Sequence, residues 1–244
     1  MTETLAPLPV RFARLVKIEH TVFALPFAYV GALLAVDGWP GWADMLWITV
    51  AMAGARSLAI FLIAVYQLDE LVRWLWPIPV AAFVIYPYLK RFTWLSHLWL
   101  GAVDGLAPVG AWVAITGELP WQAWALGGAV ACWVAGFDHF YSLLDVDVDR
   151  REGLHSVTTR FGEGGAFWGA RLLHALTVVL LVATGLGLDV GVFYWLGVAG
   201  VAALLLYEHS LVRPGDLRRL DTAFFTMNGV ISVGFFAFVL ADSL

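Results

Sequence analysis

Long apolar runs, broken by short polar connections, set the plan of this chain. A helix needs about 17–25 apolar residues to cross a bilayer. Runs of that kind lie near residues 20–37, 44–67, 71–88, 94–115, 121–143, 166–187, 190–211 and 222–241. They are continuous and lack the period-two alternation of a membrane barrel, so helices are the expected spanning form. The connections carry Gly, Pro and Trp, as in Gly38-Trp39-Pro40, Trp76-Pro77, Glu118-Leu119-Pro120 and Arg213-Pro214-Gly215. The predicted architecture is an all-α integral membrane bundle of eight apparent transmembrane helices, one domain over residues 1–244.

Composition agrees. The chain is 61% hydrophobic and 14% charged, with mean hydropathy +0.81, whereas a soluble domain carries about 25% charged residues. Its tryptophans fit interfacial belts at headgroup level. The single Cys132 excludes an intramolecular disulfide and reads as a core residue of an apolar run. No Cys/His cluster points to zinc, and there is no P-loop or nucleic-acid signature. Arg11, Arg14 and Lys17 precede an apolar run from about His20 to Val36 that is long for a signal peptide and lacks a clear cleavage site. Residues 9–18 are therefore predicted to form a short interfacial helix leading into the first span.

Sidedness follows from the positive charges. They cluster at Arg11/Arg14/Lys17, Lys90/Arg91, Arg150/Arg151/Arg160 and Arg213/Arg218/Arg219. The positive-inside rule puts all four clusters, and the N-terminus, on the cytoplasmic face of the inner membrane. Two spans separate the second cluster from the third, and two separate the third from the fourth, as the rule requires. Three spans separate the first from the second, and the middle one carries Arg56 near its centre. A buried arginine there costs about 2.5–3.5 kcal/mol on insertion scales. Both faults fall in residues 51–64, which either dip in and return or splice two helices.

The densest polar feature is the block Gly136–Arg151, with Asp138, Asp145, Asp147 and Asp149 ahead of Arg150 and Arg151. In a helix, Asp138, Tyr141, Asp145 and Asp149 recur at spacings of three, four and four and share one face, while Asp147 points elsewhere. Asp145 and Asp149, one turn apart, are candidate ligands for Mg²⁺, which takes one or two carboxylates and leaves its other positions to water and phosphate oxygens. Arg150 and Arg151 are candidate anion ligands, as are Lys90 and Arg91 on the same membrane face. Tyr141 offers a hydroxyl and a ring one turn deeper. The competing description is a solvated acidic loop paired with its adjacent arginines. Asp104, inside an apolar run, reads as a cavity residue. His20, His174, Glu208, His209 and Asn228 read as interhelical or interfacial partners. A transporter with an acidic cation site would favour inverted repeats and charges near the midplane, whereas no repeat is seen and the aspartate block sits at a helix end.

At these residues the chain resembles the UbiA superfamily of membrane polyprenyltransferases. The likeness covers the opening Lys17–Ala28, the loop Tyr86-Pro87-Tyr88-Leu89-Lys90-Arg91-Phe92-Thr93, and Asp138-x-x-Tyr141-x-x-x-Asp145-x-x-x-Asp149 with Arg150–Ser156 after it. It is to the 4-hydroxybenzoate polyprenyltransferase-like branch, including members of the futalosine route to menaquinone. The resemblance implies nine transmembrane helices around a cavity, with two aspartate motifs on the cytoplasmic face. It also implies a reaction in quinone biosynthesis. Mg²⁺ on the aspartates holds a polyprenyl diphosphate, basic residues neutralise it, and the allylic cation is attacked by an aromatic acid, 4-hydroxybenzoate-like or a naphthoate. By this likeness Asp138, Tyr141, Asp145 and Asp149 are catalytic, and Arg56, Lys90, Arg91 and Arg150 bind substrate. The chain departs from the pattern in one place. The family's first motif, N-x-x-x-D-x-x-x-D, should follow Ala55-Arg56-Ser57, but Leu58-Ala59 runs straight into Ile60–Leu68. The missing motif makes a binding protein without turnover the alternative to an enzyme.

Overall fold

The computed structural model describes residues 18–36, 38–54, 62, 65–212 and 226–244. Helices dominate: α1 (Ile18–Val36), α2 (Trp42–Gly54), α3 (Glu70–Leu75), α4 (Pro77–Leu89), α5 (Ser96–Thr116), α6 (Trp121–Glu152), α7 (Val157–Leu186), α8 (Val192–Leu211) and α9 (Asn228–Asp242). α3 and α4 make one apolar span, jointed at Trp76-Pro77, where the proline occupies the first turn and needs no N–H partner. Asp69 caps that span by accepting the Leu71 N–H at 2.8 Å. Among the described residues, Glu70–Leu89, Ser96–Thr116, Val157–Leu186 and Val192–Leu211 are long and apolar enough to cross a membrane. Shorter apolar helices lie at Leu25–Val36, Trp42–Met52 and Asn228–Asp242.

The expected spans overlap these elements, but α7 starts at Val157 rather than near residue 166, and two further differences stand out. The fifth does not stop near residue 143: α6 stays helical through the charge block to Glu152. The fused span expected over 44–67 is described only at its ends, as helix to Gly54 and as a turn at residues 66–68 before Asp69. Arg56, the splice expected near 58–61, the interfacial helix expected before residue 18, and the clusters Arg11/Arg14/Lys17 and Arg213/Arg218/Arg219 lie outside the described residues.

α6 is the hub. Its Leu126, Val130, Trp133 and Phe137 form a buried core with side chains of α1, α7, α8 and α9. Its contacts with α5 and α7 are close because glycines remove the side chains between them. A Cβ on Gly101 of α5 would stand 2.2 Å from the Ala131 carbonyl oxygen, and one on Gly105 2.5 Å from that of Gly127. On the α7 side, a Cβ on Gly136 would meet the His174 ring at 2.2 Å, and one on Gly169 the His139 ring at 2.6 Å. Small residues four apart are how membrane helices reach such separations. The outward faces carry Trp42, Trp74, Trp168 and Leu206, all exposed, as a lipid-facing surface requires. Gly105→Leu should therefore lower stability by about 1–3 kcal/mol through overpacking. Gly110→Ala, where a Cβ meets nothing within 4 Å, should not. Thermal unfolding of the two variants in detergent checks this.

Candidate active site

Helical geometry through Glu152 puts Asp138, Tyr141, Asp145 and Asp149 on one face of α6. Across from it, Lys90 ends α4 as its C-terminal cap. Its Nζ donates to Asp145 Oδ2 at 3.2 Å and to Asp149 Oδ1 at 3.5 Å. Asp149 is buried, at 2% exposure. The Asp145 side chain is 41% exposed and that of Lys90 24%, so the site opens from Asp149 outward. Asp149 Oδ2 is buried with no hydrogen-bond partner. Burial works to lower the Lys90 pKa, but the Asp149 and Asp145 charges outweigh it and hold it above the usual lysine range. Lys90 is thus a fixed positive charge at neutral pH.

Local backbone chemistry keeps these groups in register. Gly153, at φ +67°, closes α6 in the left-handed conformation that glycine adopts without strain. The chain then turns back: the Leu154 N–H donates to the Asp149 carbonyl at 2.8 Å and the His155 N–H to the Lys90 carbonyl at 2.7 Å. Ser156 caps α7 reciprocally with Thr159. The turn therefore ties the Lys90 loop to the end of α6. Beside it lies an open cleft of about 580 Å³, whose lining includes Asp149, Arg150, His155, Thr159, Arg160 and Trp94.

The structure brings Lys90, Asp145 and Asp149 into one ion-paired site, and Arg150 lines the cleft next to Asp149. Tyr141 is partly buried against the core. Arg91 is exposed in the turn after α4. Asp147 is exposed, and its carbonyl accepts Arg151 Nε at 3.1 Å. The acidic-loop description fails on two counts: the block is helix, and Asp149 pairs with a lysine 59 residues away. Deeper on the same face, Asp138 Oδ2 lies 2.6 Å from His97 Nδ1, and Asp104 and Tyr86 are within electrostatic reach of Asp138. Nothing in the sequence marks His97, His155 or Arg160 as site residues; Arg160 there signals only sidedness.

The donor set fits a metal bridged by a ligand better than a cage of protein groups. Among the described residues no three acidic, His or Cys side chains converge. Two carboxylates one turn apart, one with an orphaned buried oxygen, do match the habit of Mg²⁺, which completes its shell with water and phosphate. Lys90 stands between them and would move to an incoming anion.

An all-helical membrane bundle with a carboxylate–lysine site at one end is the class this geometry defines. The sequence matches the UbiA prenyltransferase family over residues 57–230, and the chain belongs to that family. It is 33% identical over 175 residues to a 4-hydroxybenzoate octaprenyltransferase of Chromohalobacter salexigens, covering 72% of this chain and 58% of the relative. The chain thus spans less than two-thirds of the length of such curated relatives. The apo structure of a UbiA homolog from Aeropyrum pernix K1 superposes with TM-score 0.82 at 28% identity, covering 93% of this chain and 99% of that one. A UbiA homolog from Archaeoglobus fulgidus bound to GPP and Mg²⁺ shares the fold, with TM-score 0.73 at 17% identity, covering 95% and 99%.

Proposed function

We propose that this chain transfers a polyprenyl group from a polyprenyl diphosphate to an aromatic acid of the 4-hydroxybenzoate or naphthoate kind, at the Lys90/Asp145/Asp149 end of the bundle. The observation that carries the reading is the buried Asp149, with one oxygen on Lys90 and the other without a partner, opening onto a cleft lined by Arg150 and Arg160. Carboxylates alone would repel a diphosphate. Carboxylates mixed with a lysine and arginines are suited to a diphosphate that arrives with a divalent cation.

Asp145 and Asp149 would hold Mg²⁺, which when bound supplies positive charge to the departing diphosphate. Lys90 neutralises phosphate oxygens from the side of the site, and Arg150 covers them from the cleft. The apolar faces of the bundle hold the isoprenoid tail and keep water from the allylic cation. Tyr141, one turn from Asp145 on the same face of α6, would offer its ring to the cation. The Lys90 turn and the Arg150 end of α6 share one end of the bundle, which the positive-inside rule orients to the cytoplasm. Arg91 joins the charge at that end.

One observation favours a second reading, binding without turnover. The only asparagine in the chain is Asn228, so the family's first N-x-x-x-D-x-x-x-D motif is nowhere in this sequence. A single experiment separates the two. The purified chain is incubated with a polyprenyl diphosphate, 4-hydroxybenzoate and Mg²⁺, and products are read by mass spectrometry. Prenylated acid that vanishes with EDTA and returns with Mg²⁺ is the expected result. Diphosphate binding with no product would support the second reading.

A further inference from the structure

His97 lies in the first turn of α5 and is 2% exposed. The glycine crossing brings it to α6. Gly101 and Gly105 follow one and two turns after His97 on the same face, and their close approach to Ala131 and Gly127 sets α5 against α6. His97 Nδ1 then falls 2.6 Å from Asp138 Oδ2. At that distance a proton is shared between the two atoms, and with Asp138 ionised it is the ring N–H that donates. His139, with its ring 5.6 Å from that of His97, is not a rival partner for the carboxylate, because its Nδ1 is 2.6 Å from the Ala135 carbonyl.

Asp138 keeps 13% of its side chain exposed. One oxygen is thus occupied by His97, while part of the carboxylate remains open. The residue sits seven positions before Asp145 on the same face, about 10 Å deeper along the helix. That separation along the helix is longer than a single aromatic ring, so a ring next to a diphosphate held at Asp145 and Asp149 would lie toward Asp138. Aromatic substitution by a carbocation must end with loss of the ring proton, and the base that takes it has to stand at the depth of the ring. Asp138 is an acidic side chain of α6 at that depth, and His97 fixes which way it faces.

We propose that His97 is a positioning residue: its Nδ1–H holds Asp138 so that the other carboxylate oxygen receives the proton lost from the prenylated aromatic ring. The inference rests on the transferase reading above. In the step, the C–O bond to diphosphate breaks and its electron pair leaves with the diphosphate. A ring carbon forms a C–C bond to the allylic carbon. The C–H bond on that ring carbon then breaks, its electrons restore aromaticity, and the proton passes to Asp138 and on to water at the open end.

The test uses the purified chain as wild type, His97→Leu and His97→Asn, with an acceptor bearing hydrogen or deuterium at the reacting ring carbon. Asparagine places an amide N–H close to the position of Nδ1. His97→Leu should lower kcat by about 10²-fold, the scale of a proton-transfer contribution, with little change in KM for the diphosphate. It should also produce or enlarge a primary deuterium isotope effect, because ring-proton loss becomes limiting. His97→Asn should recover most of the rate and remove the isotope effect. Binding of a non-ionising thiolodiphosphate reports whether each variant is folded. Undiminished kcat in His97→Leu would overturn the inference, as would a loss shared by His97→Asn without any isotope effect. A wild-type chain that makes no product would instead overturn the transferase reading on which the inference stands.

Discussion

Asp149→Asn is expected to lower prenyl transfer by about 10²–10³-fold, the range seen when one preorganised charge-stabilising group is removed from an active site. The substitution keeps the shape of the side chain and deletes one negative charge. Lys90 retains Asp145 at 3.2 Å, so the loop it anchors should hold. The loss therefore falls on the site. Asp149 is the more buried of the two carboxylates and carries the unpartnered oxygen, so its removal should cost more than Asp145→Asn. Steady-state kcat/KM of the two variants, with thermal unfolding alongside, checks both the size and the order. Equal, small losses would place the phosphate site elsewhere.

Lys90→Met is expected to reduce both stability and activity. Methionine keeps the apolar stem and removes the ammonium. Asp149 is then left buried with no counter-charge, at a cost of about 1–3 kcal/mol for an unsatisfied buried group; the partial exposure of Lys90, at 24%, keeps the effect toward the lower end. Transfer should fall by about 10²-fold, since one of the cations facing the diphosphate is gone. The variant also carries a diagnostic sign. With the lysine absent, Asp145 and Asp149 have no competitor for a divalent cation, so Mg²⁺ alone should raise the unfolding temperature of Lys90→Met more than that of wild type. An Mg²⁺ response equal to wild type would contradict the shared-site geometry.

Much of this arrangement can be read from the sequence, for identifiable reasons. Apolar runs of spanning length mark the bundle because lipid leaves the backbone no other way to satisfy its hydrogen bonds. The common face of Asp138, Tyr141, Asp145 and Asp149 follows from helical spacing alone. Grouping Lys90 with the aspartates needs only the sidedness of the basic clusters, and the 3.2 Å and 3.5 Å contacts realise it. Hydropathy does not show that the helix continues to Glu152, because the charges end the apolar run before the helix ends.

The pairing of His97 with Asp138 is invisible for a different reason. It spans 41 residues and depends on the register of the α5–α6 crossing. The small residues at Gly101, Gly105 and Gly127 permit a close crossing, but their presence does not specify which side chains meet above and below it. Arg160 and His155 reach the cleft only because Gly153 reverses the chain and the His155 N–H docks on the Lys90 carbonyl. Composition reports them as charge near a membrane end and nothing more.

The most direct test of the central claim is binding of a non-ionising prenyl thiolodiphosphate to the purified chain by calorimetry, with and without Mg²⁺, in wild type and Asp149→Asn. The account predicts Mg²⁺-dependent binding to wild type and at least about tenfold weaker binding to the variant, the lower end for a perturbed metal site. Binding of equal strength in both proteins, with or without Mg²⁺, would contradict it.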